Sequence, residues 1–259
     1  DRSFSVDWRV SPTISKIVEP DIRKTAFTIT SSDTVFSPGA AGYPTRIWRN
    51  LDEINLVAKV DVKKEYKLFG KPATLKVGAS QVLKERDYEI LQFNVQFFGS
   101  QPEFEGNPDN VWQDEHLYPN GPVYLSTGNA DPNSNEFNST VNNTAFYVSH
   151  QFQIVEKLKA VLGVRAEKFV QRHTGRDAIY ASGNTQDGIN LNDEKVLDAL
   201  DFFPSTNFIY AINDSQNLRF SYSKTIARPS FKELSYAQIL DPVSNRTFNG
   251  GLFRYADWD

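Results

Sequence analysis

The sequence predicts an all-β fold: an antiparallel up-and-down transmembrane β-barrel, present as a fragment of about seven strands of a larger barrel, with long extracellular loops. Three observations lead there. Apolar and polar residues alternate with period two in one segment after another. The connections between those segments are alternately short and long. No stretch approaches the roughly 20 uninterrupted apolar residues that a membrane helix needs.

The first strand runs from Phe4 to Ile14, with Phe4, Val6, Trp8, Val10, Pro12 and Ile14 on one face and Ser5, Asp7, Arg9, Ser11 and Thr13 on the other. Ile54, Leu56, Ala58, Val60 and Val62 repeat the pattern against Asn55, Val57, Lys59, Asp61 and Lys63. Weaker alternation runs from Thr74 to Phe97 and from Thr144 to Val155, and it is most poorly phased between Ala145 and Phe152. Leu158, Ala160, Leu162, Val164 and Ala166 then oppose Lys159, Val161, Gly163, Arg165 and Glu167; a helical stripe fits this run less well. A sixth strand is weakly marked from Phe202 to Ile212, and a seventh sets Leu218, Phe220 and Tyr222 against Arg219, Ser221 and Ser223.

Three connections are short enough for hairpins: Tyr66 to Pro72, Ile154 to Leu158 and Ile212 to Leu218. Three others are far longer, from Val18 to Arg46, Gly99 to Asn138 and His173 to Val196, and are rich in Gly, Pro, Asn, Asp and Ser. Connections in compact soluble domains have a median of about 4–6 residues. Strict alternation of short and long trims one end of the sheet and loads the other, the layout of an outer-membrane barrel with short periplasmic turns.

Composition sets bounds on function. At 39% hydrophobic residues the chain is too polar for a helical membrane protein, but it suits a barrel in which every second residue meets lipid. The 13% of aromatic residues fit either sheet packing or girdles at the two bilayer interfaces. A net charge of −4 argues against a nucleic-acid partner, which would need a basic face. The absence of cysteine excludes a disulfide scaffold, a thiol nucleophile and a thiolate metal site. Catalytic motifs are missing: His116, His150 and His173 are scattered, with no His-x-x-x-His or Gly-x-Ser-x-Gly spacing, so neither an enzyme nor a cofactor is expected. Asp131, Asn133 and Asn135 resemble the start of a calcium loop, but the required glycine and distal glutamate are lacking, and an Asn/Asp turn is the better account.

The run Asn217 to Leu234, with Arg228-Pro229 followed by Phe231 and Glu233-Leu234, resembles the barrel strand and following loop of TonB-dependent outer-membrane receptors. Glu19-Pro-Asp-Ile-Arg23, Gly163-Val-Arg-Ala-Glu167 and Phe203-Pro204 are similar to that family too, in the expected order. The resemblance implies residues 1–259 as part of a barrel of about 22 strands around a plugged lumen, in the bacterial outer membrane. It implies active import of a scarce nutrient, such as a siderophore or a glycan, driven by the TonB complex through a plug domain not found in this sequence. A surface lipoprotein is a further expected partner.

On that reading Lys59, Asp61, Arg165, Glu167, Arg219 and Ser221 face a wet lumen, while Val60, Leu162, Val164 and Phe220 face outer-membrane lipid. Arg165 and Glu167 are better taken as a structural ion pair than as transport residues. Ligand contact falls to the longest loop, where Trp112, Tyr118 and Tyr124 beside Asp114 and Glu115 could stack on a small molecule or an oligosaccharide. The same aromatics could instead form a small core that holds the loop together. A further outer loop is expected from Pro229 to Gly251. The rival architecture is a soluble β-sandwich acting as a surface adhesin or carbohydrate-binding module, whose apolar faces would meet in a core.

Overall fold

A computed structural model describes residues 4–32, 34–36, 44–99, 107–129, 131–236, 238–241 and 246–249. Its strands are β1 (Phe4–Lys24), β2 (Phe27–Ile29), β3 (Thr34–Phe36), β4 (Thr45–Leu68), β5 (Lys71–Phe97), β6 (Val123–Thr127), β7 (Glu136–Val155), β8 (Leu158–Arg176), β9 (Asn190–Asn213), β10 (Gln216–Ser223), β11 (Gln238–Asp241) and β12 (Arg246–Asn249). A 3-10 turn at Pro108–Trp112 and a short helix α1 at Ala178–Ala181 lie in the connections. The main sheet runs β1-β4-β5-β7-β8-β9-β10, all antiparallel, with β6 added to the far end of β5; β2 pairs with β3 and β11 with β12. All seven expected strands are present, in an open up-and-down meander.

Every expected hairpin is tight. Phe69-Gly70 joins β4 to β5, Glu156-Lys157 joins β7 to β8, and Asp214-Ser215 joins β9 to β10. Phe69 and Gly70 both take positive φ, 51° and 77°, as the two-residue turns that match strand twist require. The connection expected from Gly99 to Asn138 runs between Phe97 and Glu136, and the other two long connections are shorter than expected. β1 continues to Lys24 before β4 begins at Thr45, and β8 and β9 absorb both flanks of the segment read as a loop from His173 to Val196. Alternation fails there because both faces of the strand turn polar, so period two no longer marks it. The run Ala145 to Phe152 is regular as well: it pairs without a bulge and keeps Phe146, Val148, His150 and Phe152 in one phase. Of the loop expected from Pro229 to Gly251, residues 229–236 and the β11–β12 pair are described, and the rest lies outside the described residues.

Strand register aligns the alternation across the sheet. Trp8 is opposite Val60, Val60 opposite Ala79, Ala79 opposite Phe146, Phe146 opposite Ala166, and Ala166 opposite Phe202. The neighbouring row joins Val6, Val62, Val77, Val148, Val164 and Pro204. A continuous apolar belt results, with Trp8, Phe146, Phe202 and Phe220 each more than half exposed. No second sheet covers it among the described residues, so the sandwich alternative is not what forms.

The belt has the height of a bilayer. Phe4 to Ile14 in β1 and Leu158 to Ala166 in β8 fit the roughly 9–11 residues a tilted strand needs to cross. On the long-loop side charged pairs end it: Lys16 Nζ lies 3.1 Å from Asp52, and Lys168 pairs with Asp198. The edge crosses the ladder rows obliquely, since the row in which it ends on β8, at Ala166, passes through Val60, deep inside the belt on β4. Strands tilted to the membrane normal produce such an offset. Beyond the belt the strands continue as a projecting wall, with small cores on both sides: Ile47, Tyr88, Ile90, Phe137 and Phe231 on one, Val95, Val111 and Val123 on the other.

Candidate functional site

The face opposite the belt carries the charged residues, and register gathers them into clusters. Asp61, Gly78 and Tyr147 occupy one row across β4, β5 and β7. Glycine at 78 lets the Tyr147 ring lie over the strand, because a Cβ there would come within 2.4 Å of it. The Tyr147 hydroxyl donates to Asp61, and Lys59 and Lys76 close the cage with Nζ at 3.1 and 3.2 Å from the Asp61 carboxylate. Asp61 is thereby buried with both carboxylate oxygens partnered.

A second cluster joins β8 and β9 to the segment after β10. Arg165 donates to Glu167 at 3.1 Å and to Ser80 Oγ at 3.3 Å. Arg228 donates to Glu167 at 3.2 Å and to Asp201 at 2.8 Å, with its guanidinium 4.4 Å from the centre of the Phe169 ring. The pairing expected of Arg165 and Glu167 is therefore present, and Arg228 adds a non-local third partner.

Arg228 begins a short motif with a physical role at each position. Ser230 and Glu233 form a reciprocal turn in which Ser230 N–H donates to the Glu233 carboxylate at 2.5 Å and Glu233 N–H donates to Ser230 Oγ at 3.4 Å. That turn presents Phe231 to the pocket of Ile47, Tyr88, Ile90 and Phe137, where Lys84 and Arg86 sit 5.4 and 5.2 Å from the ring centre. Lys84 and Arg86 are held in turn by Glu53, at 3.1 Å from Lys84 Nζ and 2.6 Å from Arg86 Nε. Arg228 and Phe231 thus pin the segment from Ile226 to Ser235 across the polar face as a strap. Sequence reasoning missed Phe231 and Arg228 as anchors because their partners lie far away along the chain.

Below the strap, Gln171, His173 and Ser139 are buried. His173 Nδ1 lies 2.5 Å from Ser139 Oγ while its Nε2 has no hydrogen-bond partner among the described residues, and burial pushes its imidazole down to about 4. Burial likewise pushes the Tyr88 phenol up to about 12.

Of the five loop candidates, Trp112 lies on one side of the wall and Tyr118 and Tyr124 on the other. Trp112 packs on the Val95, Val111 and Val123 cluster, on the side of the sheet that continues the belt, with Arg46 and Arg23 at 4.9 and 5.7 Å from its ring centre. Arg46 also donates to Asp21 at 2.6 Å, a bond that holds the Asp21 carboxyl below its ordinary value. Trp112 is an anchor, as the small-core alternative expected. Tyr124 pairs in register with Gln96 on the polar face and stacks on Phe98 at 4.3 Å. Tyr118 is 67% exposed and adjoins Phe98 at 5.9 Å. Exposed Phe98 and Tyr118 and half-buried Tyr124 form an aromatic platform, with Asp114 and Glu115 exposed in the same loop. Asn133, from the calcium-like run, donates to Ile90 O at 3.1 Å and accepts from Asn135 N–H at 2.8 Å, which makes that run a turn locked to β5. Lys59, Asp61, Arg165, Glu167, Arg219 and Ser221 all share the polar face, and Val60, Leu162, Val164 and Phe220 the apolar one.

Comparison with known proteins places this architecture. The structure of the FpvAI–pyocin S2 complex is similar with a TM-score of 0.51 and 14% identity, over 85% of this chain and 24% of that one. Pseudomonas aeruginosa FpvA bound to heterologous pyoverdines gives 0.50 at 14% identity, over the same shares. The ferric-catecholate import receptor Fiu of Escherichia coli K12 gives 0.45 at 12% identity, over 89% of this chain and 33% of that one. The chain thus spans about a quarter of the FpvA chains and a third of Fiu. No curated protein matches it significantly. The family described as TonB dependent receptor-like, beta-barrel, matches residues 4–258, and the chain belongs to that family.

Proposed function

We propose that this chain forms part of the wall of a bacterial outer-membrane barrel that imports a scarce nutrient in a TonB-dependent manner. The observation that carries the reading is the register-aligned apolar belt of bilayer height, backed by a face of ion-paired residues. Val60, Leu162, Val164 and Phe220 meet lipid. Lys59, Asp61, Arg165, Glu167, Arg219 and Ser221 line the lumen, where the first four brace the wall through the clusters described. The open edges at β1 and β10 are closed by further strands of the same barrel, and a plug within it couples to the TonB complex.

Ligand recognition belongs to the far end of the wall. The Phe98, Tyr118 and Tyr124 platform offers stacking surface, and the strap narrows the path inward. The similarity to FpvA solved with bound pyoverdines supports a siderophore ahead of a glycan. A surface lipoprotein is a further partner on this reading.

Two assays test this. The full-length protein should fractionate with the outer membrane and need detergent for extraction; a compact, detergent-free soluble monomer would refute the membrane reading. Cells expressing it should take up a labelled ferric chelate or oligosaccharide only while TonB is present. Equal uptake without TonB would refute the coupling.

A further inference from the structure

The strap fills a pocket whose chemistry exceeds what a phenylalanine needs. Phe231 is buried among Ile47, Tyr88, Ile90 and Phe137, yet Lys84 and Arg86 stand 5.4 and 5.2 Å from its ring centre. Those two cations share the one carboxylate of Glu53. A lysine ammonium has three donors and an arginine guanidinium five, so both keep donors that Glu53 does not take. Among the described residues no other acid at this height offsets the surplus. Arg49 and Glu19 pair with each other, Glu233 accepts from the Ser230 N–H, and Glu85, Asp87, Glu89 and Glu136 lie on the opposite face of the sheet. Glu194 is three strands from Arg86 along its row, about 14 Å away.

The segment that fills the pocket is held lightly. Among the described residues no main-chain hydrogen bond ties residues 225–234 to the sheet; Leu234 N–H bonds back to Ser230 O at 3.3 Å. Pro229, Ser230, Lys232 and Glu233 are exposed, so attachment rests on the side chains of Arg228 and Phe231 and on buried Ser235. Beneath that span Gln171 Nε2 and His173 Nε2, each on a residue 1% exposed, have no hydrogen-bond partner among the described residues. Gly175 makes room for the imidazole beside the pocket wall, since a Cβ there would come within 2.7 Å of His173 Nε2 and 3.2 Å of Phe137 Cβ. Buried polar groups are rarely left unpaired, and oxygen atoms of a ligand would satisfy these. The pocket also lies on the path inward: Arg86 is ten residues from Gln96 on β5, about 33 Å below the level of Tyr124.

We propose that Phe231 is a displaceable stand-in for an aromatic ring that carries an anionic group, and that the imported ligand lifts the strap by seating such a ring against Tyr88 and Phe137 with its anion at Lys84 and Arg86. This rests on the reading that the polar face lines the path of an imported solute. A plain ring draws the two cations only through its π face. An anionic substituent accepts charge-assisted hydrogen bonds from them, which are roughly twice as strong as neutral ones. Phe231 therefore closes the pocket without using its charge, and a ring with a carboxylate or phenolate uses both.

The test titrates the purified full-length protein with benzoate as the probe and uncharged benzamide as the control, read by calorimetry. Phe231→Ala, which empties the pocket, should bind benzoate at least about tenfold more tightly than the wild type does, and more tightly than benzamide. Adding K84Q and R86Q to that variant should remove the gain. In the wild type, benzoate and not benzamide should speed trypsin cleavage at Lys232, an arm that stands even if Phe231→Ala does not fold. Equal binding of benzoate and benzamide, a gain that survives K84Q and R86Q, or no gain together with unchanged wild-type cleavage would each overturn the proposal. Uptake assays on the same protein separate the two levels. TonB-dependent uptake without benzoate binding defeats this pocket alone; benzoate binding with uptake unchanged by loss of TonB defeats the import reading alone.

Discussion

Neighbouring residues of β4 and β8 meet opposite surroundings, and that contrast makes the first prediction. Val60→Arg or Leu162→Arg should cost about 2–4 kcal/mol if these positions face lipid near the midplane. Lys159→Glu or Ser221→Lys, on the polar face, should stay within about 0.5 kcal/mol. Denaturant titration in lipid vesicles measures both, and equal indifference would show the faces to be misassigned. Gly78→Val should displace Tyr147 from Asp61 and leave a buried carboxylate short of its donor, a loss on the order of 1–3 kcal/mol in the same titration. His173 carries a pH signature. Its imidazole is held neutral down to about 4 against an ordinary value of about 6.5, so between those values the unfolded chain binds a proton that the folded one refuses. Stability therefore falls as pH drops from about 6.5 to 4, by about 3 kcal/mol from this group. Comparison of thermal unfolding with His173→Gln isolates that share from the carboxylates, since the variant should lose it; an identical pH slope would contradict the assignment.

At the scale of elements, the sequence shows plainly what the bilayer constrains and hides what it does not. Leu158 to Ala166 alternates because one face must be apolar and the other wet, so that strand was legible residue by residue. Its continuation through Arg172 and Arg176 was not, because the side that is buried there is filled by polar Gln171 and His173, so burial leaves no apolar alternation in the sequence. The Ala145 to Phe152 run looked out of phase because Tyr147 is an aromatic residue on the polar face, there to reach Asp61. The strap was invisible for another reason: Arg228 finds Asp201 and Phe231 finds Tyr88 only after seven strands have registered. Phe231→Ala should release it, since removing a buried phenylalanine costs about 3–5 kcal/mol. Limited trypsin digestion should then cut at Lys224 or Lys232 at least about tenfold faster than in the wild type, while β8 stays protected. Unchanged cleavage would mean that the strap is held by something else.

At the scale of the whole molecule, one open sheet divides an apolar side from a charged side, and every functional assignment depends on what each side meets. β1 and β10 each pair on one flank only among the described residues, which leaves backbone donors and acceptors that a closed barrel would satisfy. Closure around a wet lumen explains why the ion-paired clusters share one face, why the belt has bilayer height, and why the belt edge slants across the ladder. The most direct test uses the chain's lack of cysteine. Single cysteines placed in turn from Leu158 to Glu167 of the full-length protein can carry a nitroxide spin label after reconstitution in vesicles. Collision with oxygen, which partitions into lipid, should peak at positions 158, 160, 162, 164 and 166, and collision with a water-soluble nickel chelate at 159, 161, 163, 165 and 167. Loss of that alternation, or its inversion, would contradict the account.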